Sequence, residues 1–247
     1  MSKQPTIVLV HGAFADASSW NGVVELLLND GHDVVAPPNP LRGIAIDSAY
    51  IASVLSQIDG PVLLVGHSYG GAVNSNAATK AANVVGLVFV AAFAPDEGET
   101  LGDVEGASRD SVLASAQLIR TYPAGSNGET APEVLVDPAQ FHTAFAADVP
   151  AGQAAVMAVT QRPVAAAAFT EKNGPPAWKN LPCWTVVATG DKAAGTDVIR
   201  AQALRAKSTI TEVEGSHVIM VSQPQAVTDV ILQALGAVSK QPIGTQG

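Results

Sequence analysis

Gly66, Ser68 and Gly70 stand at alternate positions in "LLVGHSYGGA", residues 63–72, with Gly71 and Ala72 directly behind them. A Gly-x-Ser-x-Gly pentapeptide has a plain alternative, because glycine and serine are ordinary turn residues. What flanks the motif decides its chemistry. Where a buried strand turns sharply into a helix, the serine is forced into a strained backbone, its hydroxyl stands clear of the sheet, and the glycines give the crossing backbones room. Here an apolar run leads in and a small-residue, helix-like segment leads out, so the pattern points to Ser68 as a nucleophile. A dinucleotide-binding loop fits less well: the spacing is not Gly-x-Gly-x-x-Gly, and the first strand's turn, "HGAFADASSW", lacks that glycine pattern.

A serine hydroxyl is a weak nucleophile near neutral pH and needs a base to take its proton. Five histidines are present. His67 adjoins Ser68 but faces the opposite side of an extended chain. His11 belongs to "VHGAF", His32 opens a strand away from the expected active edge, and His142 lies in the middle of the chain. His217, in "GSHVIM", directly follows the run "STITEVEG" and so falls on a loop at a strand's carboxyl end. A lone histidine is usually structural, yet this one stands where a base for Ser68 is needed. The base in turn needs a carboxylate to fix its tautomer and stabilise the imidazolium. Asp191 follows "CWTVVATG" in the same kind of position; Asp96, with Glu97 behind it, and Asp197 are rivals, and for each the plain alternative is helix capping.

The elements that must position these groups follow a repeating pattern. "TIVLVHG", "HDVVAPP", "PVLLVGHS", "VVGLVFVAAF", "CWTVVATG" and "STITEVEGSH" are apolar, strand-like runs. Between and after them, "ASSWNGVVELLLNDGH", "SAYIASVLSQIDG", "GGAVNSNAATKAANV", "TDVIRAQALRAK" and "QPQAVTDVILQALGAV" place apolar residues at helical spacing. Ser18 or Ser19 is the expected cap of the first helix and Gly31 its stop. Repeated strand–helix units imply an open, mostly parallel sheet with right-handed crossovers, and ligands in such sheets gather at the strands' carboxyl ends. The rhythm breaks over residues 96–180, which are rich in alanine, glycine and proline and too long for an ordinary connection. Helical candidates there are "RDSVLASAQLIRTY", "DPAQFHTAFAADV" and "GQAAVMAVTQR", and the tail "SKQPIGTQG" is expected to fray.

"LVHGAF", "GHSYGG" and "GSH", with serine, acid and histidine in that chain order, resemble the α/β-hydrolase superfamily. They are most similar to its compact branch of plant methylesterases, hydroxynitrile lyases and many bacterial esterases, over residues 5–95 and 181–235. The resemblance implies an α/β-hydrolase fold, a mostly parallel central sheet flanked by helices. Its core would be residues 1–95 and 181–247, with a helical cap, residues 96–180, inserted after the strand ending near Phe93. It implies Ser68, Asp191 and His217 as a catalytic triad and the amides of Ala13 and Tyr69 as an oxyanion hole, with no cofactor and no metal. Phe14 and Phe93 lie near the same edge as candidate substrate-binding residues, with core packing the alternative for Phe93. Two departures stand out. Many relatives carry a proline a few residues after the acid, where this chain has "DKAAGTD". The hydroxynitrile lyases carry lysine directly after the catalytic histidine, where this chain has Val218, which disfavours lyase chemistry.

Composition narrows the partners. A chain of 247 residues, 47% apolar, can bury one substantial core but hardly two. Its 22 acidic residues against 13 basic ones give a net charge of −9, which repels nucleic acid and, more gently, polyanionic substrates. The single cysteine, Cys183, excludes an internal disulfide and reads as a core residue in "LPCWTVVA". No secretory leader is recognisable and "VVGLVFVAAFAP" is too short to span a bilayer, so the expectation is a cytoplasmic protein without membrane partners. The expected partner is a small-molecule ester or lactone, with a homodimer admitted; the rival functions are a cofactor-independent lyase and a ligand-binding receptor on the same scaffold.

Overall fold

The computed structural model describes residues 4–239. In chain order its first half runs β1 (Thr6–Val10), α1 (Asn21–Asn29), β2 (Val34–Val35), α2 (Ile44–Leu55), β3 (Val62–His67), α3 (Tyr69–Ala77) and β4 (Val84–Val90). An inserted stretch follows: α4 (Leu101–Gly106), β5 (Gln117–Pro123), β6 (Thr130–Val136), α5 (Pro138–Phe145), α6 (Ala151–Thr160), β7 (Val164–Ala165) and α7 (Ala167–Thr170). The chain then returns through β8 (Cys183–Ala188), α8 (Thr196–Arg205), β9 (Thr209–Val213), α9 (Ile219–Ser222) and α10 (Pro224–Val238).

Six strands pair in parallel in the order β2-β1-β3-β4-β8-β9. The central strands are apolar throughout because helices cover both faces. Side chains alternate across the sheet, so Ile7, Leu9, Leu63 and Val65 pack with Val23 and Leu27 of α1 and with Val227, Ile231 and Leu235 of α10. Val8, Val10, Leu64 and Phe89 face the other way, onto Ile51 and Leu55 of α2, Val73 of α3 and Ile199 of α8. Each such large side chain contributes about 1.5–3 kcal/mol on burial. Cys183 is buried in this second layer, and burial pushes its thiol up to about 12, which leaves it inert.

All six predicted core strands form, and so do the five helices between and after them. Local details differ at the first helix: Asp16, not Ser18 or Ser19, caps the 3₁₀ turn Ala17–Trp20 that leads into it, accepting from Ser18 N–H at 2.8 Å. Gly31, with φ 79°, does end it. The larger correction lies between β4 and β8. The expected cap is helical, and beside α4–α7 the strands β5, β6 and β7 form a three-stranded antiparallel sheet. The predicted helix "RDSVLASAQLIRTY" becomes a short 3₁₀ turn over Leu113–Ala116 followed by β5. Pairing with β6, from Gln117 opposite Val136 to Pro123 opposite Thr130, overrides the weak local helical spacing. The glycine-rich "AGSNGE" between these two strands, closed by Ala124 N–H donating to Glu129 O at 2.9 Å, forms the hairpin turn. The predicted helices over "DPAQFHTAFAADV" and "GQAAVMAVTQR" do form, as α5 and α6. Of the tail expected to fray, residues 240–247 lie outside the described residues. No helix among those described is long and apolar enough to cross a membrane.

Candidate active site

Ser68 sits at the junction of β3 and α3 with φ 52° and ψ −124°. Positive φ costs a residue bearing a Cβ on the order of 1–3 kcal/mol, so the surroundings must hold it there. They do so through the end of β4: Ser68 N–H donates to Val90 O at 3.3 Å, and Ser68 O accepts from Phe93 N–H at 3.2 Å and Gly71 N–H at 3.0 Å. The glycines of the motif supply clearance. A Cβ on Gly70 would lie 2.6 Å from Val10 O, and one on Gly66 would lie 2.7 Å from Gly70 O. Only glycine lets α3 start this close to β1.

His217 and Asp191 come together at the carboxyl ends of β9 and β8, each 1% exposed. His217 Nδ1–H donates to Asp191 Oδ2 at 2.8 Å. The other carboxylate oxygen, Oδ1, accepts from Ala193 N–H at 2.9 Å and Ala194 N–H at 3.0 Å. These loop amides in "DKAAGTD" fix the acid without a proline. Because the carboxylate can only accept, Nδ1 carries the ring hydrogen and Nε2 is left as an acceptor. Ser68 and His217 line one cavity. In this arrangement Ser68 Oγ has no hydrogen bond to His217, as is common before substrate binds.

The rival residues have other work. Asp96 pairs with Lys179, and that contact holds its carboxyl below the usual range. Glu97 is exposed, and Asp197 accepts from Arg109 N–H at 2.9 Å and from Val198 N–H at 2.9 Å near the start of α8. His142 donates to Val149 O at 2.9 Å, and His32 lies 3.3 Å from the Gln4 amide.

The two remaining histidines are neutral supports. His67 Nε2–H donates to the His217 carbonyl at 3.0 Å, and its ring centre lies 4.7 Å from that of His217. Burial, with the neighbouring His217 adding to it, holds its pKa well below the usual value. His11 Nδ1–H donates to Gly12 O at 2.9 Å while its Nε2 accepts from Asn39 N–H at 2.8 Å, and burial lowers its pKa to about 4. It thereby pins the "HGAF" loop. Tyr69 is anchored too: its hydroxyl donates to the buried Asp47 carboxylate at 2.7 Å. The backbone N–H groups of Ala13 and Tyr69 find no acceptor among the described residues. For Tyr69 this is the orphan donor of a helix's first turn.

The cavity wall above Ser68 includes Ala13, Phe14, Tyr69 and Phe93, so both candidate substrate-binding phenylalanines border it. The inserted stretch completes it with Leu101, Glu105, Leu113, Phe145 and Phe169. Those five carried no motif; the fold alone brings them over the strand ends. The free space is about 10 Å³, room for roughly one water, so a substrate must displace lining side chains. Phe14 also borders an open groove of about 260 Å³ whose far side is α6. Glu105 is 8% exposed, and burial pushes its carboxyl up to about 7. Among the described residues, no group of three or more His, Cys, Asp or Glu is placed to hold a metal ion.

Comparison with known proteins agrees with this architecture. A carbendazim hydrolyzing esterase of Nocardioides sp. (strain SG-4G) is 34% identical over 107 residues, which take in 38% of this chain and 44% of that relative. The match thus spans less than half of the curated relative's length. Among solved structures, polyneuridine aldehyde esterase superposes with a TM-score of 0.77 at 21% identity, covering 96% of this chain and 100% of the other. A methylesterase from Arabidopsis gives 0.74 at 19% identity, covering 94% and 99%. Tomato methylketone synthase I gives 0.75 at 20%, covering 96% and 99%. At such identities these likenesses establish the fold. A family model matches residues 7–230, nearly the whole described chain and every element that carries Ser68, Asp191 and His217, and on that match the protein belongs to the alpha/beta hydrolase family.

Proposed function

We propose that the protein is a serine hydrolase that cleaves a small neutral or apolar carboxylic ester or lactone through an acyl-enzyme, with Ser68, His217 and Asp191 as its triad. One observation carries this reading: His217, held 2.8 Å from the buried Asp191, lines the same cavity as a serine held at φ 52°. His217 Nε2 takes the Ser68 hydroxyl proton as Oγ attacks the carbonyl carbon. The tetrahedral oxyanion is held by the N–H groups of Ala13 and Tyr69, each worth about 3–4 kcal/mol when aimed at the developing charge. Collapse breaks the ester bond, and His217 returns the proton to the departing alkoxide. Water, deprotonated by His217, then releases the acid and restores Ser68.

The aromatic and aliphatic wall favours apolar acyl and alcohol groups, and the inserted stretch acts as the cap that excludes water. That the carbendazim hydrolyzing relative is itself an esterase supports the same reaction class. Val218, fully buried where a lyase of this branch would have lysine, favours hydrolysis over the lyase alternative. The test is a panel of esters and lactones run on wild type and Ser68→Ala, with fluorophosphonate labelling of both. Turnover and labelling are expected in wild type alone; equal turnover in the variant would overturn the assignment.

A further inference from the structure

Glu105 carries the one carboxyl of the cavity wall, and the proposed reaction leaves it unused. It lies on α4, whose Leu101, four residues earlier, faces the same space, so this short helix presents one face to the reacting centre. Thr100 fixes the helix by accepting from Asp103 N–H at 3.1 Å. Among the described residues the Glu105 carboxyl has neither a hydrogen-bond partner nor an ion-pair partner, and no lysine or arginine lines the cavity. Carboxyls this deeply buried are ordinarily paired, since leaving one unpaired costs several kcal/mol. In a structural role Glu105 would be a poor choice beside Phe93, Leu113 and Phe169, where leucine would pack at no such cost.

We infer that Glu105 is a specificity residue: it accepts a hydrogen bond from an O–H, N–H or ammonium group on the substrate, so the preferred substrate is an apolar ester carrying one such donor near the scissile carbonyl. The inference rests on the hydrolase reading for its setting. Outside the proposed catalytic and oxyanion groups the wall is apolar and recognises shape alone, whereas Glu105 offers a directional contact. The buried carboxyl titrates near neutrality, so it is easily ionised by a cationic donor and still meets a neutral one through its carbonyl oxygen. An ester lacking the donor would leave the carboxyl buried and unpaired, a form of discrimination stronger than any apolar wall achieves.

The experiment compares three esters of matched size whose chain ends in methyl, hydroxyl or ammonium, on wild type, Glu105→Gln and Glu105→Leu. Wild type is expected to favour both donor-bearing esters over the methyl ester by about ten- to a hundredfold in kcat/KM, chiefly through KM. Glu105→Gln should keep part of the preference for hydroxyl and lose that for ammonium. Glu105→Leu should reverse the order in favour of the methyl ester. Identical ratios in all three proteins, including the case in which only water meets Glu105, would overturn the inference. Fluorophosphonate labelling reports Ser68 separately, so a failed nucleophile and a failed Glu105 contact give different results. Binding of the corresponding carboxamides to Ser68→Ala, with and without Glu105→Leu, makes the same comparison without turnover; equal affinities there would also overturn it.

Discussion

Asp191→Asn is the sharpest test of the site because the loop around residue 191 dictates how an asparagine must sit. Asp191 Oδ1 accepts from the amides of Ala193 and Ala194 at 2.9 and 3.0 Å, while Oδ2 accepts from His217 Nδ1–H at 2.8 Å. An asparagine has one accepting end and one donating end. Two fixed backbone donors demand its oxygen, which turns its NH₂ toward His217. The ring must then present Nδ1 as an acceptor and carry its hydrogen on Nε2, the wrong tautomer for taking the Ser68 proton. In a serine protease the corresponding change lowers kcat about 10⁴-fold, or about 5 kcal/mol of transition-state stabilisation, and a loss of that order is expected here. The fold should survive, since both loop bonds persist and the site loses one charge-assisted hydrogen bond worth about 1.5–3 kcal/mol. The assay is steady-state ester hydrolysis on protein whose melting curve shows it folded. A folded variant keeping more than about a tenth of wild-type kcat would refute the tautomer argument and the role of Asp191 with it.

Two further outcomes follow from packing and from burial. Gly70→Ala places a methyl group 2.6 Å from Val10 O and 2.9 Å from His11 O, both backbone atoms of β1 and its loop. It should cost about 1–3 kcal/mol, read as a fall in Tm of roughly 2–12 °C, and an unchanged Tm would show that the strand–helix junction is looser than described. The second concerns pH. Glu105 moves from 4.5 to about 7 on folding, so between those values the folded chain holds a proton the unfolded chain has released, and stability falls as pH rises through that window. His11 moves from 6.5 down to about 4, so its contribution is present above 6.5 and is lost as pH falls through 4. The two oppose each other in wild type. Glu105→Gln removes the first, and its unfolding free energy relative to wild type should rise by about 3 kcal/mol between pH 4.5 and 7 in denaturant titrations. A pH-independent difference would sink this assignment.

The six core strands and the tight strand–helix turn at Ser68 were legible in the sequence because both rest on local patterns. An apolar run of strand length bounded by glycine or proline leaves few other folds open, and glycines flanking a serine between a strand and a helix specify a crowded turn whatever the rest of the chain does. Chain order and strand ends likewise placed His217 and Asp191 on the same edge. What the tertiary structure decided is everything that depends on partners distant in the chain. Asp191 rather than Asp96 faces His217 because Lys179 occupies Asp96 and the loop amides orient Asp191. The insertion carries a sheet because β6 finds β5 across a hairpin and β7 beyond α5 and α6, a pairing that helical spacing within "RDSVLASAQLIRTY" could not reveal. His67 and His11 became neutral supports only once burial and their backbone carbonyl and amide partners fixed their charge. Glu105 had no signal at all: its segment carries no motif, and only the fold turns one face of α4 over Ser68. Backbone pattern is written locally, whereas the burial of a side chain and the group it meets there are set only when distant segments close over one another.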